Sequence, residues 1–204
     1  MKLWINYLYL MIYKFKEYIP VIHPTAFVHP LAAVTGCVSI GKNCYIGPFA
    51  AIRGDFGEIE IEDGCNVQEH CMIHMFPGVK VVLKQNAHIG HGAVIHGAEI
   101  GANCLIGMNS VIMDDSIIGD ECIIGAMSFI PEKSNIPSRS LAVGSPYKII
   151  KSVSDDMIHW KTKGTALYQT LAEECHQYLS PCEPLHEKPT NYPTPTGEYH
   201  SWKR

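Results

Sequence analysis

Three histidines, His74, His91 and His96, fall close together in a chain of 204 residues. Three imidazoles bind one zinc ion and leave its fourth position open to water, whose pKa falls to about 7. The expected product is a hydroxide nucleophile at neutral pH. Gln68 and Glu69 stand shortly before this set and Arg53 further upstream. A carboxylate such as Glu69, beside a metal-bound imidazole, fixes the ring's tautomer and strengthens it as a ligand.

What must position these residues is a six-residue repeat. Aliphatic residues recur as Ile22, Val28, Val34, Ile40, Ile46 and Ile52, then Ile61, Val67 and Ile73, then Leu83, Ile89 and Ile95, and again from Ile100 through Ile106, Ile112, Ile118, Ile124 and Ile130. Four residues after most of them stands a small residue, among them Ala26, Cys44, Cys65, Cys71, Ala93, Cys104, Ser110 and Cys122. A period of six suits neither a lone amphipathic helix nor a simple strand, but it suits short strands joined by tight corners in a parallel β-helix. Three hexapeptides make one triangular coil, so six coils are expected, spanning residues 19–146. Glycines that follow the aliphatic residue, as in Ile46-Gly47 and Ile89-Gly90, are read as corners with unusual backbone angles.

The register places the histidines. His74 follows Ile73 and His96 follows Ile95, so they share one side of the triangle, one coil apart, where parallel strands stand roughly 4.8 Å from each other. Two imidazoles that close can converge on one ion. His91 comes two residues after Ile89, on the preceding side, and as a ligand would come from a neighbouring chain. A cyclic homotrimer supplies that arrangement, with three identical sites between subunits. Glu69 shares the offset of His91 one coil earlier. His23, His29, His70, His88, His159, His176, His186 and His200 are read as polar surface or loop residues.

Composition is that of a single domain with enough apolar residues, 47%, to bury a core. A net charge of −4 without a basic stripe argues against nucleic acid as a partner. Of eight cysteines, Cys44, Cys65, Cys71, Cys104 and Cys122 take the small inward position, so they read as buried thiols in a reducing, cytoplasmic protein. The opening MKLWINYLYLMI is too short to span a bilayer, and no small-residue cleavage site follows it. Residues 1–18 are therefore read as an extension and lead-in with no membrane role, and Met11 as an alternative start. Beyond Pro146 helical spacing begins. Ser154 with Asp155 and Asp156 makes an N-terminal cap, Gly164-Thr165 divides two short helices, and the stripe Leu167, Tyr168, Leu171, Ala172, Cys175 packs them along a face of the β-helix over 147–179. Prolines in 180–204 indicate an extended tail.

The segments RGDFGEIEIEDGCNVQEHCMIH and HIGHGAVIHGAEIGANCLIGMNSVIMDDSIIGDECIIGAMSFI resemble the γ-class carbonic anhydrase family of left-handed β-helices, nearest to its subgroup of the phenylacetic acid degradation protein PaaY and the carnitine operon protein CaiE. The resemblance runs from about Met11 through the SVSDDMIHWKTKGTALYQ segment. It implies a left-handed coil, with His74 and His96 as ligands from one subunit and His91 from the next. Gln68 would orient the metal-bound water, Glu69 would stand where the family has aspartate, and Arg53 with Asp55 would pair between subunits. The implied metal is zinc, with iron or cobalt as alternatives. The implied substrate is small: an acyl-CoA thioester, carbon dioxide or bicarbonate, or both classes.

Two departures bear on activity. The stretch MFPGVKVVLKQN lacks the carboxylates with which the family's most active members shuttle protons, and Glu69 is one methylene longer than aspartate. A metal-dependent thioesterase or carbonic anhydrase is the leading expectation. The alternatives are a hexapeptide-repeat acyltransferase that binds CoA and uses a histidine base without metal, or a noncatalytic trimeric accessory protein of a CoA-dependent pathway.

Overall fold

The computed structural model describes residues 11–193, so readings of residues 1–10 and 194–204 fall outside the described residues. The chain winds into a left-handed parallel β-helix with three faces and seven rungs on each. One face stacks the rungs centred on Ile12, Val34, Ile52, Ile73, Ile95, Ile112 and Ile130. The second runs from Ile22 through Ile40, Ile61, Leu83, Ile100 and Ile118 to Ile136, and the third from Val28 through Ile46, Val67, Ile89, Ile106 and Ile124 to Ala142. Seven coils replace the six expected. Ile136 and Ala142 carry the six-residue step past Ile130, and Ile12 adds a rung that pairs with Val34 although the ten residues before Ile22 break the spacing.

Nearly all of these aliphatic side chains are fully buried in one column, which is what holds the coils in register. The small inward residues have a further role. Cys65 Sγ donates to Lys84 O at 3.2 Å, Cys71 Sγ to Gly90 O at 3.1 Å and Ser110 Oγ to Gly125 O at 2.9 Å. Each adds a second donor to a corner carbonyl of the next coil, since Lys84 O and Gly90 O also accept from Ala87 N and Ala93 N, and Gly125 O from Ser128 Oγ. Burial pushes the Cys65 thiol well up from its ordinary pKa, as expected of an inert core thiol.

The corners correct the glycine reading. The left-handed backbone angles belong to the residue just before the small one, such as Asn43, His70, Asn86, Asn103, Asn109 and Glu121. Gly47 and Gly90 have ordinary angles; they are glycine because a Cβ would meet the next coil's backbone, 2.9 Å from Glu69 N and from Ile106 O respectively. Close stacking of successive coils, rather than φ, excludes the side chain.

After a cis Ser145-Pro146 bond the chain forms an antiparallel strand, Lys148–Ser152, against Ser140–Val143. It then forms one helix, Asp155–Tyr178, where two were expected. The Ser154 side chain accepts from Met157 N at 3.3 Å and Asp155 and Asp156 occupy the first turn, as the cap reading held. Gly164 and Thr165 do not interrupt it because both are buried against the third face, and packing there offsets the roughly 1 kcal/mol cost of a helical glycine. Near its end, Ala172, Tyr168, Leu171 and Cys175 pack on Phe27 and Tyr45 of the first coils. Residues 180–193 run exposed without helix or strand. Among the described residues no helix is long and apolar enough to cross a membrane.

Candidate active site

The two ends of the first face's strands carry the chemistry. His74 and His96 end the strands Met72–His74 and Val94–His96, Cα-paired in register as the repeat required, with ring centroids 5.4 Å apart. His96 Nδ1 lies 2.8 Å from both carboxylate oxygens of Asp114, on the next coil, which leaves its Nε2 free. His74 Nε2 lies 2.9 Å from Asp55 Oδ1 and 3.0 Å from an Arg53 guanidinium nitrogen, and Arg53 Nε is 3.5 Å from Asp55 Oδ2. Arg53 and Asp55 thus meet each other, and His74, within one chain. Phe56 and Phe76 stand beside the two imidazoles, with ring centroids 5.4 and 4.9 Å away, and both are exposed.

His91 stands at the opposite end, in the corner that leads from the third face into the first. Its Nδ1 is 2.5 Å from Glu69 Oε2, a short contact that lacks the alignment of a hydrogen bond. Glu69 Oε1 accepts from Tyr45 OH at 3.0 Å. Burial, with the Glu69 carboxylate beside it, pushes the Tyr45 phenol up, so this hydroxyl remains a donor to the carboxylate. Gln68 is buried, its amide nitrogen 2.9 Å from Asn66 Oδ1 and 2.6 Å from His88 Nε2.

His91, Gln68 and His88 line one end of a cavity of about 700 Å3 between the third face and the helix. Leu105, Ile123, Ile124 and Leu141 form its floor and Met157, Trp160 and Leu167 its roof. This size falls within the roughly 300–1,000 Å3 usual for small-molecule sites. His88, read from sequence as a surface residue, lies on the strand His88–Ile89 beneath the helix, 3.4 Å from Thr165 Oγ1. Burial holds its pKa down to about 3, so the ring is neutral and its Nε2 accepts from Gln68. Lys161 is buried at the same seam. Its Nζ donates to Asn86 O at 2.6 Å and Asn103 Oδ1 at 2.7 Å, while burial pulls its pKa down to about 7.

The chain therefore brings His91 to Glu69 and His74 to His96, but at opposite ends of the first face. Among the described residues no three His, Cys, Asp or Glu side chains gather in a metal-binding group. The sequence reading missed Asp114, Tyr45 and His88. For Asp114 a signal existed: it follows Ile112 by two positions, one coil after His96.

Residues 19–54, 80–112 and 97–132 match the model of the bacterial transferase hexapeptide (six repeats). The carnitine operon protein CaiE of Escherichia coli O157:H7 is 45% identical over 185 residues, covering 91% of this chain and 94% of its own. A solved Bacillus cereus structure, described as a candidate acetyltransferase, matches with a TM-score of 0.81 at 31% identity over 83% of this chain and 98% of its own. A hexapeptide transferase family protein from Anaplasma phagocytophilum matches with a TM-score of 0.77 at 28% identity over the same shares. The resemblance to the carnitine operon protein stands on this identity; neither carbonic anhydrase activity nor a likeness to PaaY follows from it.

Proposed function

Because the chain belongs to the hexapeptide-repeat transferase family, with the carnitine operon protein among its relatives, we propose that it transfers the acyl group of a CoA thioester to a small nucleophile, with His91 as general base. One observation carries this reading: His91, backed by Glu69 at 2.5 Å, lines the end of an apolar cavity. A base oriented by a third group is the arrangement that activates a weak nucleophile. With Nδ1 facing Glu69, Nε2 is the nitrogen left for substrate.

As the acceptor's oxygen or nitrogen bonds to the thioester carbonyl carbon, its proton passes to His91 Nε2. The tetrahedral adduct collapses with cleavage of the C–S bond, and the imidazolium returns the proton to the departing CoA thiolate. Glu69 holds the ring and stabilises its charged form. Gln68, locked by Asn66 and His88, fixes the polar end of the cavity. When the acceptor is water, the same steps give thioester hydrolysis.

A second reading, metal-dependent hydrolysis of a thioester or hydration of carbon dioxide, is favoured by the stacked pair His74 and His96. Two imidazoles sharing a tetrahedral ion hold their ring centroids about 5 Å apart, close to the 5.4 Å here. Asp114 orients His96 as a carboxylate behind a ligand does. The donor set suits zinc, and His91 of a neighbouring copy in a trimer would complete it. When bound, zinc supplies Lewis-acid activation of the carbonyl. For His74 to serve, its Nε2 must give up Asp55 and Arg53, and these two would then pair across subunits.

The two readings separate in one assay. Acyl-CoA turnover that survives dialysis against a chelator supports the base reading; turnover lost with the metal and restored by zinc supports the second.

A further inference from the structure

The cavity also has a direction and a length, and these point to the acyl group. We propose that the acyl chain, rather than the pantetheine arm, fills the cavity, so that the substrates are acyl-CoA thioesters with apolar chains of about ten carbons. This rests on the acyl-CoA reading above. The walls between His91 and the last coil are almost entirely hydrocarbon: Leu105, Ile123 and Leu141 below, Met157, Trp160 and Leu167 above. Pantetheine carries two amides whose polar groups would be buried there without partners, at a cost that an alkyl chain does not incur.

Length follows from the coil spacing. His88, Leu105, Ile123 and Leu141 are Cα-paired on successive coils. Three steps of about 4.8 Å give about 14 Å, the length of an extended chain of about ten carbons at roughly 1.3 Å each. With the thioester carbonyl at His91 and Gln68, the methyl end reaches Leu141. Lys151 lines the far part of the cavity, and its ammonium disfavours an acyl group that ends in a cation.

The test uses two measurements on the full chain. Calorimetric titration with non-hydrolysable alkyl-CoA thioethers of two to sixteen carbons reads binding alone, and turnover of the matching acyl-CoA series reads catalysis. Affinity and kcat/KM are expected to rise about three- to fourfold per methylene and to level off near ten carbons. Leu105→Trp, which fills the floor, and Leu167→Trp, on the half-exposed helix face, should each move that plateau to shorter chains. Turnover without dependence on chain length, or a plateau unmoved in two folded variants, overturns the cavity assignment and leaves the acyl-CoA reading standing. Thioethers that bind with the expected slope while no acyl-CoA is turned over keep the assignment and overturn the catalytic reading.

Discussion

His91 Nδ1 lies 2.5 Å from Glu69 Oε2, across the step between two successive coils. The pairing is a direct product of the fold. Both residues follow the buried aliphatic residue by two positions, Val67 for Glu69 and Ile89 for His91, and those two are Cα-paired on the third face. Stacking coils in register therefore brings base and carboxylate together without any special loop.

Glu69→Gln should lower kcat about tenfold to a hundredfold, because the ring loses the charge that orients it and supports its protonated form. KM should change little. A merely structural role would instead lower the amount of folded protein and leave kcat per folded site intact. Glu69→Asp should recover part of the loss.

Stability should fall with acidification through His88. Its folded pKa, about 3, lies below the ordinary 6.5, so between these values the unfolded chain binds the proton that the folded one refuses. The contribution is complete above pH 6.5 and is lost as pH falls toward 3, with a slope of at most about 1.4 kcal/mol per pH unit for one proton. Urea unfolding at pH 7 and pH 5 measures it. His88→Gln should flatten the slope; an unchanged slope would assign the loss to other groups.

Ser154→Ala removes the side chain that caps the helix start, where Ser154 Oγ accepts from Met157 N at 3.3 Å. A loss of about 1 kcal/mol is expected, read as a lower Tm. Met157 and Trp160 of the first turns roof the cavity, so affinity for long-chain thioethers should weaken as well.

The coil register was legible because each rung has one inward aliphatic residue, and a slip of even one position would turn it to solvent. Hence the stacking of His74 on His96 and of Glu69 beneath His91 could be read from spacing alone. What could not be read depends on features outside the period. Ile12 pairs with Val34 across an irregular lead-in, and Ala142 makes a rung too small to stand out. His88 and Gln68 form a part-buried pair only because the helix covers the third face, and one helix forms across Gly164 only because that face supports it. Whether Asp114 leans toward His96 is a matter of rotamer, which spacing does not encode.

The central claim is that His91 acts as the base in acyl transfer from CoA. Acyl-CoA turnover by chelator-treated wild type, His74→Ala and His91→Ala proteins, with metal content measured in each, tests it most directly. The account predicts that wild type and His74→Ala remain active without metal, whereas His91→Ala falls by a hundredfold or more. Loss of wild-type activity on metal removal, its return with zinc, and a His74→Ala protein as inactive as His91→Ala would contradict it and place the chemistry on the stacked pair.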